Sequence, residues 1–440
     1  MNAKAIDTLN KTRELRERLY LAAKTSKTRR FHALYDKIYR QDFLMDAWSQ
    51  VKRNKGSAGI DDETIEDIVM KGEDCVLMEM QQILERKVYR PRSVKRVLIP
   101  KLNGKERPLG IPTVRDRIVQ ASVKSVIEPI FEADFLECSY GFRPNRNAHD
   151  AIEEIRKATN SSYTVVLDAD IKGYFDNINH ERLLEYISQR ISDRRILKLI
   201  RKWLESGVIE VDGFHETDLG TPQGGVISPL LANIYLHEFD RFWAEQKLVE
   251  GRLIRYADDL VILFRSKYEA KRGMLLVRSK LRELGLELNE EKTRIADTQN
   301  GNEGFDFLGF HFHRVRSTKY RKYYTQHWPS HKSMNRLRSK VRDVLDRRVT
   351  LTWSLEEVVE KLNPILRGWM NYFKYGNSSK KFSQIDSYIQ ERLALWWSKK
   401  HGKSGRRWNT DFSYKIYRRS GVQVLSGNVS YWSRRSKAQG

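Results

Sequence analysis

Two adjacent carboxylates, Asp258 and Asp259, sit between two apolar runs in "GRLIRYADDLVILF", residues 251–264. Burying an unpaired carboxylate costs roughly several kcal/mol. A core strand does not hold both, so the pair marks the tip of a hairpin whose flanks, "RLIRY" and "LVILF", pack inside. Aspartate is common in turns, and a turn alone accounts for one such pair. A second site changes the reading. "VVLDAD" ends another apolar run, and Asp168 and Asp170 alternate onto one face of a strand. Neighbouring strands would bring Asp170 beside Asp258 and Asp259. Three carboxylates so placed repel one another unless a cation neutralises them. Oxygen-only ligands suit Mg²⁺, with Mn²⁺ as the alternative. Two such ions about 3.5–4 Å apart clamp the attacking and leaving oxygens of an in-line phosphoryl displacement.

The net charge is +24, and it is uneven. From His331 to Gly440 there are 24 Lys and Arg against 8 Asp and Glu, interleaved with aromatics in "GWMNYFKYG", "LALWWSKK" and "GRRWNTDFSYKIYRRS". Cations for phosphate and rings for stacking point to single-stranded or structured nucleic acid rather than a membrane. A solvated basic face over a small aromatic core is the plainer alternative. No apolar run is long enough for a transmembrane helix, and the first residues lack the apolar core of a secretory signal. Cys75 and Cys138 are too few and too far apart for a zinc site or a disulfide framework. The expectation is a soluble cytoplasmic protein with no membrane partner and no structural metal.

Along the chain, residues 1 to about 40 have a basic helical pattern. In "RNKGSAGIDDETIED", Asp61 or Asp62 is the expected cap of the next helix. "SVKRVLIPKLNGKERPLGIPT" predicts two strands around an Asn103-Gly104 turn. Helical periodicity follows from 114, a short buried strand ends in Asp170, and the Gly-Pro loop "GTPQGG" opens a long helix. After the Asp258-Asp259 hairpin come a helix over about 267–285 and a strand-like "FDFLGFHFHRV"; beyond about 330 the pattern is helical, basic and aromatic. This is a mixed α+β body followed by a helical basic tail.

"YADD", residues 256–259, resembles the catalytic box of reverse transcriptases. Around it, "IPKLNGKERPLGIPTVRDRIVQ", "SYGFRPNRNAHDAI", "LDADIKGYFDNINHERLL", "GTPQGGVISPLLANIYLHEFD", "LGLELNEEKTRI" and "FDFLGF" stand in the order of a group II intron-encoded reverse transcriptase and maturase. "LNPILRGWMNYFKYG" resembles its maturase segment, so the likeness runs over about residues 40–400.

The resemblance implies metal ligands at Asp170, Asp258 and Asp259, with Asp168 the weaker choice. It implies a ring under the sugar that selects deoxynucleotides, at Phe175 or, in competition, Tyr174. Lys101 and Arg107 would grip the triphosphate, while Gln223 and Tyr256 would line the nucleotide pocket. Lys292 would be the general acid for the pyrophosphate leaving group. Leu308-Gly309 resembles the primer grip. Arg367, Trp369, Tyr372 and Phe373 would touch template-primer or intron RNA, although Trp369 also suits a core. Arg406, Arg407 and Arg418 would bind nucleic acid in the tail.

The expected architecture is a right-hand polymerase, with fingers and palm on antiparallel sheet, followed by an all-helical thumb. The expected division is 1–40 a basic helical extension, 41–115 fingers, 116–315 the palm-containing core, 316–400 thumb and 401–440 a basic DNA-binding tail. No cysteine follows Cys138, so no HNH endonuclease with cysteine pairs is expected. The implied function is RNA-directed DNA synthesis with two divalent ions, together with splicing assistance and retrohoming. Its partners would be group II intron RNA, an RNA template with a DNA primer, dNTPs and target DNA. Two other readings are a domesticated relative in DNA repair or phage defence, and a non-enzymatic splicing cofactor. Intact "YADD", "LDAD" and "TPQGG" count against the last.

Overall fold

The computed structural model describes residues 3–100, 106–206, 208–210, 213–215, 224–346, 348–404 and 412–430. Its described strands are β1 (Val94–Pro100), β2 (Glu106–Ile111), β3 (Val165–Asp170), β4 (Val208–Glu210), β5 (Gly213–His215), β6 (Arg252–Tyr256), β7 (Asp259–Phe264), β8 (Arg294–Asp297), β9 (Gly304–Phe307), β10 (Phe310–Arg316) and β11 (Tyr323–Pro329). They form sheets of order β2-β1-β4-β5, β6-β7-β3-β8 and β11-β10-β9. The chain divides into two compact units. The first holds Met1–Ala151, Ala169–Ile262 and Lys271–Arg294; the second holds Ile152–Asp168, Leu263–Ala270 and Ile295–Gly440.

The first unit is organised by helix Val114–Glu132, which packs against helices Ala3–Thr25 and Gln41–Asn54. Thr113 caps it, its hydroxyl accepting from the Asp116 amide at 3.0 Å. The helix is buried on nearly every face, including Asp116, Arg117, Gln120 and Glu128. Those polar groups are tolerated because they have partners: Asp116 also accepts from the Thr113 hydroxyl at 2.8 Å, and Arg117 Nε donates to the Pro112 carbonyl at 3.1 Å. The end of helix Ala3–Thr25 is held by buried Arg190, whose guanidinium donates to the carbonyls of Ala23, Ser26 and Lys27. That is a cation serving unsatisfied carbonyls at a helix C-terminus.

In the second unit, β9 and β10 are joined by Leu308 and Gly309, whose φ values are 48° and 81°. Two successive left-handed residues make a type I′ connection, which matches the twist of a hairpin. Helices His331–Leu345, Leu355–Phe373 and Ser379–Lys400 follow. Ser354 and Glu357 form a capping box at the start of the second of these.

Four sequence expectations need correction or a boundary. Helix Ile65–Lys71 is capped by Thr64, in a capping box with Asp67, and not by Asp61 or Asp62. The hydroxyl reaches the third amide of the helix only from the residue directly before it. The sheet β2-β1-β4-β5 is mixed rather than antiparallel, since β1 runs parallel to β4 while pairing antiparallel with β2. Parallel pairing needs a long crossover, and more than a hundred residues separate these strands. The region from 316 is not all-helical, because β11 lies in it; "YYTQHWP" alternates as a strand does, with Thr325, His327 and Pro329 buried. The Asn103-Gly104 turn lies outside the described residues.

Residues 412–430 pack onto the second unit's helices, with Phe412, Tyr417, Val422 and Leu425 buried. Buried Asp386 accepts from the amides of Leu425 (2.9 Å) and Ser426 (2.8 Å). Asn363 donates to the Gly421 carbonyl at 3.0 Å and accepts from the Gln423 amide at 2.7 Å. Among the described residues no helix is long and apolar enough to cross a membrane.

Candidate active site and nucleic-acid contacts

β3 and β7 are neighbours in their sheet; Asp170 closes the first and Asp259 opens the second. Val165, Val166, Leu167 and Ala169 are buried, whereas Asp168 and Asp170 are half-buried, as the alternation predicts. The segment "ELNEEKT" runs along the end of β3. The Lys172 amide donates to the Glu287 carbonyl, and the Asn289 amide donates to the Asp170 carbonyl, at 2.9 and 2.8 Å. This pairing brings Lys292 Nζ to 3.0 Å from Asp170 Oδ2. Two residues 122 positions apart, each singled out in the sequence, therefore meet.

The Ala257-Asp258 turn is braced from beneath. Arg255 is fully buried. Its guanidinium donates to Asp240 Oδ1 (2.8 Å), Asn233 Oδ1 (2.9 Å) and the Ala257 carbonyl (2.9 Å). Asn233 and Asp240 lie seven residues apart on helix Ser228–Glu245, two turns along one face. Ala257 has φ of 57°, a left-handed conformation that costs an alanine roughly 1–2 kcal/mol. The Arg255 hydrogen bond to its carbonyl helps hold it there. Gly141 presses on the same turn: a β-carbon there would stand 2.4 Å from the Ala257 nitrogen. Asn233 Nδ2 donates to the Gly141 carbonyl at 2.8 Å, and the Phe142 ring lies 6.3 Å from that of Tyr256. Arg143 of "GFRP" holds this loop, with Nε to Glu132 at 3.0 Å and Nη1 to the Ser139 carbonyl at 2.7 Å.

Sequence reasoning missed Arg255, Asn233, Asp240 and Gly141. The available signal was an arginine inside an apolar strand, which requires a buried acid as its partner.

Asp258 is half-buried and Asp259 exposed. Among the described residues no three His, Cys, Asp or Glu side chains are gathered closely enough to hold an ion. Asp170 has its countercharge in Lys292. Asp170, Asp258 and Asp259 each offer carboxylate oxygen, the donor type a hard divalent cation takes.

Tyr174 and Phe175 part company. Tyr174 is buried, its hydroxyl donates to the Ala232 carbonyl, and burial pushes its pKa well above the ordinary tyrosine value. Phe175 is half-buried, with its ring 5.3 Å from that of Tyr174 in an edge arrangement. Arg107 lies on β2 opposite Ile99. Lys101, Gln223, Arg406 and Arg407 lie outside the described residues.

In the second unit, Leu308, Gly309, Trp369 and Tyr372 line one cavity of about 510 Å³ together with Arg336 and Lys340. The Tyr372 hydroxyl donates to the Leu308 carbonyl at 2.9 Å. The half-buried Trp369 ring packs 4.8 Å from Phe373 and 5.5 Å from Phe382. Phe373 is buried, while Arg367 and Arg418 are exposed. Arg418 lies over the Tyr414 ring at 5.8 Å.

Residues 99–312 match the family model "Reverse transcriptase (RNA-dependent DNA polymerase)", and residues 334–412 match "Group II intron, maturase-specific domain". Protein YkfC of Escherichia coli is 34% identical over 344 residues, which cover 69% of this chain and 89% of that protein. The group II intron-encoded protein LtrA of Lactococcus lactis is 40% identical over 221 residues, 50% of this chain but 36% of LtrA. Nuclear intron maturase 1 of Arabidopsis thaliana is 28% identical over 192 residues, covering 32% of this chain and 27% of that protein.

Proposed function

Because the chain belongs to the group II intron-encoded reverse transcriptase and maturase family, we propose that it copies RNA into DNA and binds intron RNA to assist splicing and retrohoming. The observation that carries the polymerase reading is the pairing of Asp170 with Lys292 beside the braced Asp258-Asp259 turn. Fingers, palm and thumb would fall on residues 41–115, 116–315 and 316–400.

Asp170, Asp258 and Asp259 would hold the divalent ions, Mg²⁺ being the natural choice. Bound there, the ions supply charge neutralisation at the phosphates and activation of the attacking oxygen. The protein's own groups do the rest. Arg255 and Gly141 fix the turn, so that both aspartates are presented without rearrangement. Lys292, whose Nζ lies 3.0 Å from Asp170 Oδ2, would be the general acid for the departing pyrophosphate. Phe175, with its half-buried ring, would be the sugar-selecting residue, and buried Tyr174, with its hydroxyl on the Ala232 carbonyl, is the competing assignment. Lys101, Arg107, Gln223 and Tyr256 would bind the incoming dNTP. Leu308, Gly309, Arg367, Trp369 and Tyr372 would bind template, primer or intron RNA, with Arg418, Arg406 and Arg407 on intron RNA or target DNA.

Primer extension on an RNA template tests the reading. Asp170→Ala or Asp258→Ala should lower extension by about a thousandfold or more, since a metal clamp contributes several kcal/mol and each 1.36 kcal/mol is tenfold. Circular dichroism should show the fold retained. A folded variant that keeps more than about a tenth of the extension rate would remove the carboxylates from catalysis. Phe175→Ala should admit ribonucleotides in single-nucleotide incorporation; an unchanged ratio there, with Tyr174→Ala altering it, would move the gate to Tyr174.

A further inference from the structure

The β10–β11 hairpin carries a surface that polymerisation at the carboxylates does not use. Between Asp306 and Asp343 the sequence holds ten Lys and Arg and no Asp or Glu. The strand register places His311 opposite Trp328, His313 opposite Gln326 and Val315 opposite Tyr324. These side chains therefore share one face of the sheet. The His311 ring lies 5.5 Å from Trp328 and 6.0 Å from His313, and His313 lies 6.1 Å from Trp328. Gln326 Nε2 donates to the Tyr324 hydroxyl at 2.7 Å, which extends the row toward the hairpin turn. The other face is the core face, with Phe305, Phe310, Phe312 and His327 buried.

The ring face stays half open: His311, His313, Gln326 and Trp328 are half-buried, and Tyr324 is 40% exposed. Beyond it, the turn presents exposed Lys319, Arg321 and Lys322. Tyr320 there is 68% exposed, with Lys319 Nζ 5.2 Å from its ring. Asp306 is an acid at the ring face, its Oδ1 2.6 Å from His311 Nδ1. Every charge contributed by the turn is positive.

We propose that this face and turn bind an unpaired stretch of nucleic acid, with bases stacked along the Trp328, His311, His313 and Tyr324 row and phosphates on Lys319, Arg321 and Lys322. Charge selects a polyanion. Rings on an open sheet select unstacked bases, because a duplex keeps its base faces covered. Successive residues on one face of a strand are about 6.6 Å apart, which leaves room for a base against each ring. The polar His and Gln members argue against an acidic membrane, which would ask for a continuous apolar strip. The proposal rests on the reading of the chain as a nucleic-acid enzyme, and it is independent of Asp170, Asp258 and Asp259.

The test uses the full chain and fluorescence anisotropy, with a 12-nucleotide single-stranded RNA, the DNA of the same sequence and a blunt duplex. Tyr320→Ala with Tyr324→Ala should weaken single-strand binding about fivefold or more, and duplex binding less. Lys319→Gln, Arg321→Gln and Lys322→Gln together should flatten the dependence of log K on log salt by about 0.7 for each phosphate no longer neutralised. The RNA and DNA arms identify the strand: the source is the arm that shows the loss, and loss in both means a face that reads base and phosphate alone. All five positions are exposed, so the variants should melt like the parent. Single-strand affinity within twofold of the parent for both variants, or a loss confined to the duplex, overturns the proposal. Asp258→Ala separates the two readings, because it should abolish extension while leaving single-strand affinity intact. Failure of extension in the parent would instead count against the polymerase reading alone.

Discussion

Arg255 in the first unit and Arg321 in the second are both cations at hairpins, and their surroundings are opposite. Arg255 is fully buried and donates to Asp240, Asn233 and the Ala257 carbonyl. Arg321 is exposed in a turn that also carries Lys319 and Lys322. A buried cation with a full set of acceptors fixes one backbone geometry, and it is costly to disturb. Exposed cations are worth little to the fold and remain available to a polyanion. The first unit uses charge to hold a turn still; the second presents charge to something outside itself.

The largest test of that contrast is Arg255→Met. It leaves Asp240 buried without its partner and should cost about 3–5 kcal/mol of stability, read by chemical denaturation. Arg255→Met with Asp240→Leu should recover more than half of the loss, because an apolar pair replaces the ion pair without an orphan charge. A loss below about 1 kcal/mol for the single variant would mean that the buried network does not hold the unit together.

An effect of similar kind comes from His237, also in the first unit. Burial pushes its pKa down from 6.5 to about 4, and its Nδ1 lies buried without a hydrogen-bond partner. The unfolded chain takes up a proton near pH 6.5 that the folded chain refuses until about pH 4. Stability from this residue is therefore complete above pH 6.5 and is lost as pH falls toward 4, by on the order of 3 kcal/mol. His237→Leu should flatten the difference in denaturation free energy between pH 7 and pH 4.5. An equally steep fall in the variant would place the acid sensitivity elsewhere.

The second unit should respond more mildly. Tyr372→Phe removes one neutral hydrogen bond, to the Leu308 carbonyl, and keeps the ring. Its expected cost is about 1 kcal/mol, read by thermal melting. A cost as large as that of Arg255→Met would show the Leu308-Gly309 turn to be as tightly determined as the Ala257-Asp258 turn, and the contrast between the units would fail.

Much of this was legible where a residue's type conflicts with its local pattern. Acids in apolar runs marked the strand ends at Asp170 and Asp259, which lie on neighbouring strands, and the apolar runs on either side of "NG" marked β1 and β2, which pair antiparallel. Local chemistry also placed the long helix after "GTPQGG" and the helices beyond 330. Pairings made at long range were not legible. Nothing near Arg255 names Asp240 as its partner, and nothing near Gly141 shows that Ala257 will press on it. Asp386 looks like a surface acid of an amphipathic helix, yet it anchors residues 425 and 426. The parallel pairing of β1 with β4 depends on chain far downstream, which no periodicity in either strand records. Thr64 lies two residues after Asp62 and three after Asp61, so the cap was decided by where the helix begins.

The order of strands in the sheet β6-β7-β3-β8 has a consequence for how the chain is made. β3 leaves the ribosome long before either neighbour, since β7 begins at Asp259 and β8 at Arg294. At about 5–20 residues per second, roughly ninety residues take on the order of 10 s to synthesise. Through that interval "VVLDAD" has neither of its partners, and pairings so distant in sequence form slowly. An apolar strand left waiting is an aggregation hazard, and a charge within it is the usual guard. Asp168 and Asp170 are the charges within this strand that would act as that guard during synthesis. Replacing both with asparagine would remove it, so the nascent protein should become less soluble even where the finished one is stable.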